Sequence, residues 1–247
     1  MKPKMLTAIQ RMDYSTDFWR SKIFGYVATA GVMFMILTIA AIFAYPRGTR
    51  IDHTAQGYSF FRNMFSDLGV LHTRSGASNL ISASMFIMAM TLAGLALIFF
   101  SRAFLQFFQH SGAARISAIC ASTFGAITGF CFIGVGFTPH DLLLNAHAQF
   151  ARWGFRFFTA SALLWAIALF GHRTYPKRYA WIFIGFGMLL LGFVFLPTIT
   201  LKILGYSPEH RALRAIIMIT GQKIIVYAAI ISVMIQSYGA RSVNRNQ

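Results

Sequence analysis

Long apolar runs alternate along this chain with short polar stretches. Crossing the hydrocarbon core of a bilayer as a helix takes about 20 mostly apolar residues. Six runs reach that length: Ile23–Tyr45, Asn79–Phe100, Ile116–Phe137, Ala148–Phe170, Tyr179–Leu201 and Leu213–Tyr238. The pattern predicts an all-α polytopic membrane protein, a bundle of six transmembrane helices. Its one long connection, Pro46–Ser78, forms an outer loop segment between helices one and two. Residues 1–22 read as a basic N-terminal segment, 23–238 as the transmembrane domain and 239–247 as a tail. The first run is too long for the apolar part of a cleaved signal peptide and is expected to stay as an anchor. Gly171–Arg178 is a short basic turn, and Thr138–His147 is expected to extend the fourth helix outward. Gly125 and Gly129 in the third run, and Gly185, Gly187 and Gly192 in the fifth, are small residues that let helices approach closely.

Composition points the same way. Hydrophobic residues make up 57% of the chain and charged residues 11%, about half the usual globular share of roughly 25%. That leaves too few charges to clothe a soluble surface. The net charge of +16 would suggest nucleic acid in a soluble protein. Here the basic residues cluster between apolar runs, which is how membrane proteins record topology, and some can meet anionic headgroups. The expected partners are therefore membrane lipids, with room for a membrane-protein partner or a second copy, and not nucleic acid. Cys120 and Cys131 share one run and lie about 16 Å apart along a helix, too far for a disulfide.

Orientation follows from the bases. With the N-terminus inside, Lys2, Lys4, Arg11, Arg20, Lys22, Arg102, Arg115, Arg173, Lys177, Arg178, Arg241 and Arg245 are cytoplasmic. Arg47, Arg50, Arg62, Arg74, Lys202, Arg211 and Arg214 are outer, and the other three bases lie within spans. The excess favours both termini in the cytoplasm. The outer face then gathers Asp52, Asp67, Asp141 and Glu209 with His53, His72, His140, His147 and His210.

Two outer connections end alike. Thr138-Pro139-His140-Asp141 precedes the fourth run and Ser207-Pro208-Glu209-His210 the sixth. Each reads as a capping hydroxyl, a proline in the first helical position, then an acid and a histidine. Helix capping alone accounts for such residues; a binding site is the alternative. At about 100° per residue, Asp141, Asn145, Gln149, Arg152 and Arg156 fall in one stripe, while His140 and His147 share another face. A polar stripe entering an apolar run should face protein or a watery cavity, unless the arginines snorkel to the interface. Lys223 lies deep in the sixth run, with Asp67 or Asp141 as its expected partner. Around Phe60–Gly69, aromatics interleave with Arg62, Asn63, Ser66 and Asp67, as in a segment lying at the interface.

Asn63 with Ser66-Asp67-Leu68-Gly69, then Gly136-Phe137-Thr138-Pro139-His140-Asp141 followed by His147, resemble motifs of the prokaryotic six-span membrane proteins grouped as domain of unknown function 998, distantly similar to DRAM-like proteins. Gly221-Gln222-Lys223 stands where that resemblance implies a Glu-Arg pair, so this chain departs from it there. The resemblance implies a six-helix architecture and no particular activity.

Three functions fit these residues. A basic outer cavity, ringed by helix N-termini and by Arg62, Arg152, Arg156, Glu209, His210 and Arg211, would bind a lipid headgroup or small anion. A metal-dependent intramembrane hydrolase would use His140, His147 and His210 with Asp67 or Asp141 around a zinc ion. An accessory structural subunit of a larger membrane complex needs neither. No cofactor is named by any motif.

Overall fold

A computed structural model describes residues 18–109 and 112–245. Lys2, Lys4 and Arg11 of the basic N-terminal segment, and the last two residues of the tail, lie outside the described residues. The protein is a multi-pass, all-helical membrane protein, with six helices long and apolar enough to span a bilayer. They are α1 (Ile23–Ala44), α2 (Leu80–Phe104), α3 (Ala113–Phe137), α4 (Leu144–Gly171), α5 (Arg178–Leu204) and α6 (Arg211–Arg245). Helices are the form these runs must take, because an N–H or C=O left open in hydrocarbon costs several kcal/mol and a helix satisfies all of them internally.

The helices pack in chain order, each against the next, and α6 returns to α1 to close a ring. Three connections therefore lie at one end: α1 to α2, α3 to α4, and α5 to α6. Among the described residues there is no strand, and two isolated bridges, Arg47 with Gln56 and His72 with Ser78, brace the long loop.

Several boundaries differ from expectation. The sixth helix runs to Arg245, well past Tyr238, since its polar last turns still hydrogen-bond as helix once outside the apolar layer. The fourth helix starts at Leu144, and Pro139–Leu143 is a turn closed by Leu142 and Leu143 N–H bonds to the Pro139 carbonyl. Thr138 is accordingly not an N-cap. Its hydroxyl donates back to Gly134 O (2.7 Å), so it finishes α3. In the second connection a similar turn spans Ser207–His210, and α6 begins after it.

Glycine permits the closest contact in the ring. Gly94 of α2 and Gly129 of α3 face each other so closely that a Cβ on either would strike the other's carbonyl oxygen. Gly125, one turn before Gly129, lies against the hydroxyls of Ser101 and Ser161. The fifth helix does not repeat this. Gly187 alone packs, against Leu163, whereas Gly185 and Gly192 face open space. Helical periodicity explains the split: residues two and five apart fall on different faces.

The connection end away from the long loop is packed with rings. Phe104 touches Phe24, Phe100, Phe107, Trp165, Tyr175 and Phe183 at centroid distances of 4.9–6.4 Å. Two short connections are pinned there by side chains. His172 Nε2 donates to Phe107 O (2.9 Å), and Lys177 Nζ donates to the terminal α4 carbonyls of Leu169 and Phe170. A cation at a helix C-terminus also complements its dipole.

Candidate functional site

The long loop does not lie flat at the interface. Residues 63–70 dip into the end of the ring, and Phe65–Gly69 form a short 3₁₀ turn that is buried throughout. Phe65 anchors it, its ring 5.6–6.1 Å from those of Phe34, Phe86 and Tyr227. Buried loop backbone must find hydrogen bonds, and the helices supply them. Asn79, just before α2, donates to the Leu68 and Val70 carbonyls (3.1 and 2.9 Å), and Ser82 donates to Leu68 O (3.0 Å). On α6, Gln222 Oε1 accepts from Phe65 N (3.0 Å).

Asp67 is the centre of this plug, at 3% exposure. One oxygen accepts from His140 Nε2 at 2.9 Å. The other accepts from Met64 N (2.9 Å) and Asn63 Nδ2 (3.2 Å). Burial alone would raise the pKa of this carboxyl. The His140 bond and charge, then the Met64 amide and Asn63, outweigh it and hold Asp67 below its usual range. Asn63 is saturated in turn, accepting from Ser59 N (2.9 Å) and donating to Gly48 O (3.0 Å) and Tyr45 Oη (3.4 Å). Burial, then the Asp67 charge, push the Tyr58 phenol upward, and Tyr58 donates to Met64 O at 2.9 Å.

His140 and His147 come together, with ring centroids 5.6 Å apart. They share no helix face as the spacing suggested, because His140 sits in the turn before α4 and folds back over it. His147 Nδ1 donates to Thr138 O at 2.7 Å. Lys223 is 1% exposed, yet no carboxylate among the described residues lies within ion-pair reach of it. Asp67 acts on it as a nearby charge without a direct ion pair, and Asp141 pairs elsewhere. The ammonium donates to Asn63 O (2.5 Å) and Ile219 O (3.5 Å) and sits 5.4 and 5.1 Å from the Tyr58 and Phe60 ring centroids, an arrangement favourable to a cation. Asp141 has a different task. At the surface it accepts from Leu71 N (3.1 Å) and His72 N (3.0 Å), tying the long loop to the α3–α4 turn.

The expected polar stripe of α4 faces outward. Asn145, Gln149, Arg152 and Arg156 are all exposed, and the Arg156 guanidinium lies over the Trp153 ring at 5.1 Å. The opposite face carries His147, Gly154, Phe158, Ala162 and Trp165, whose close packing occupies the interior. Asp141 precedes the helix and is not on the stripe at all. Both arginines thus face out of the bundle and not into its interior. Arg62, Glu209 and Arg211 are exposed as well, and His210 Nδ1 donates to Leu204 O (2.6 Å) within its own connection. None of these side chains lines the voids inside the ring. Among the described residues no three His, Cys, Asp or Glu side chains are placed to hold a metal ion, so the grouping of His140, His147 and His210 does not assemble.

Below the plug lies a cavity inside the ring. It encloses about 570 Å³ of non-atom space, its open mouth included, of which the centres of water-sized molecules reach about 50 Å³. It is a narrow slot. Phe34, Phe86, Met90, Phe132, Phe155 and Val226 form its walls, and Ser66, His147 and Gln222 are its polar lining. A second void shares Ala93, Phe132, Ala229 and Ile230 with it and continues past Gly31 and Ala96 to Val233. From Gln222 to Val233 the rise along α6 is about 16 Å, half the roughly 30 Å of a hydrocarbon core. No charged side chain lines either void.

Ser66 and His147 emerged from the sequence as binding candidates, and both reach the cavity. Gln222 was noted only as a departure from a motif, and the plug's supports Tyr58, Asn79 and Ser82 gave no signal beyond being polar beside an apolar run. Scans against family models, curated proteins and solved structures find no match to this chain.

Proposed function

We propose that the protein binds a membrane lipid inside its helix ring, with the chain in the apolar slot and the polar end beneath the Asp67 plug. The observation that carries this reading is the pair of voids that meet at Ala93, Phe132, Ala229 and Ile230, apolar over most of their lining, with Ser66, His147 and Gln222 in the first. Binding sites of this kind are mostly apolar with a few placed polar groups. The outward-facing Arg152 and Arg156 then serve the bilayer interface and not the ligand. The same reading sets the chain in a cell membrane, a prokaryotic inner membrane with both termini cytoplasmic, as the Lys/Arg asymmetry supports. Membership of the domain of unknown function 998 family is proposed on the motifs around Asp67 and His140.

Native mass spectrometry of protein purified in mild detergent tests the reading. One lipid per chain is expected in the wild type and in Arg152→Ala plus Arg156→Ala. Ala93→Phe, which fills the junction of the two voids, should lose it. Equal lipid retention by Ala93→Phe would overturn the proposal.

A further inference from the structure

Three side chains at the polar end of the slot have hydrogen-bonding capacity left over, and two of them are fixed in what they can offer. His147 Nδ1 faces the Thr138 carbonyl, which only accepts, so Nδ1 carries the proton. In the neutral ring Nε2 is then an acceptor. His147 is 8% exposed and lines the slot. Gln222 spends its carbonyl oxygen on Phe65 N, which leaves its NH₂ group to donate. Ser66, 6% exposed and also lining the slot, makes no side-chain hydrogen bond among the described residues and can do either.

We infer that the ligand is a single-chain lipid with an uncharged hydroxyl head, a long-chain alcohol or monoacylglycerol. This rests on the lipid-binding reading above and narrows it. A hydroxyl donates one hydrogen bond and accepts others, which matches an acceptor at His147 Nε2 and a donor at Gln222 Nε2. A phosphate or carboxylate head finds no cation in the lining, and an ion moved from water into such surroundings without a partner is strongly disfavoured. A head with carbonyls alone would leave His147 Nε2 unpaired, a buried polar group without its bond. A void of about 570 Å³, its open mouth included, suits one chain better than a diacyl body.

The test uses four probes of equal chain length: hexadecanol, 1-monopalmitoylglycerol, hexadecanoate and hexadecyl phosphate. Each is added to the delipidated full-length protein, and retention is read by native mass spectrometry and by the shift in Tm. The two hydroxyl probes should be retained and raise Tm; the two anions should do neither. His147→Asn keeps an N–H for Thr138 O, and its shorter side chain places no acceptor at the position of Nε2. Gln222→Glu keeps an oxygen for Phe65 N and removes the donor. Each should weaken hydroxyl-probe binding about fivefold to tenfold, the worth of one neutral hydrogen bond, while the unliganded variants elute as the wild type. Anions bound as tightly as alcohols, with all binding lost in Ala93→Phe, would sink the hydroxyl inference and leave the lipid reading standing. No probe retained, or retention indifferent to Ala93→Phe, would overturn both. Should Gln222→Glu fail to fold, His147→Asn decides alone, and unchanged hydroxyl binding in it refutes the inference.

Discussion

The two ends of the helix ring are closed by different physics. At one end Phe104 sits among stacked and edge-on rings, with Trp165, Tyr175 and Phe183 around it. At the other, a loop carrying a buried carboxylate is pushed into the bundle and held by directional bonds from His140, Asn63, Asn79, Ser82, Gln222 and Lys223. Rings fill space in many ways. A hydrogen-bonded plug holds its shape by specific partners, and the void lies directly under it. Packing closes one end, and the polar network keeps the other organised without filling it.

Substitutions can break that contrast. The largest effect is expected at the aromatic end: Phe104→Ala should cost about 3–5 kcal/mol, the range for deleting a buried phenylalanine, read as thermal unfolding in detergent, with lipid retention preserved in the folded fraction. Asp67→Ala should cost about 3 kcal/mol, because it strands buried donors on His140 and Asn63. Here lipid retention should fall along with stability, and a double-mutant cycle with His140→Ala should show coupling that a cycle with Phe104→Ala lacks.

Acid should separate the ends more gently. The Asp67 carboxyl is held below its ordinary value of 3.8 in the folded protein. Its contribution is therefore complete above pH 3.8 and is lost as pH falls through the lower folded value. Unfolding midpoints measured down through pH 3 should drop, and the drop should be shallower in Asp67→Asn. A slope unchanged by Asp67→Asn would refute this assignment. The smallest effect is expected from Arg152→Ala plus Arg156→Ala, within about 0.5 kcal/mol per site as for other exposed positions, again by thermal unfolding.

The sequence made the ring legible and left much of the plug unread. Run length alone decides that six segments span, because hydrocarbon leaves the backbone no alternative to helix. That Asp67, His140 and His147 would be partnered was also legible, since ionisable residues beside apolar runs seldom lack a partner. Their arrangement was not. The stripe on α4 was correctly phased but assigned to the wrong side: periodicity shows which residues share a face, not which face packs. Lys223 was paired with an acid, whereas its main partner is the Asn63 carbonyl, and a backbone acceptor has no sequence signature. Glycine spacing in α5 misled for the same reason that it succeeded in α3: only a facing partner such as Gly94 gives a small residue its use.

One further consequence concerns biogenesis. The ring closes only when α6 meets α1, and Gln222 and Lys223, which hold Phe65 and Asn63, both lie on that last helix. While the first five spans are being inserted, the loop that carries Asp67 waits without two of its anchors, and the slot is an open groove along its sixth side. On the lipid-binding proposal, a ligand would enter laterally from the surrounding bilayer during synthesis and be enclosed when the final span arrives.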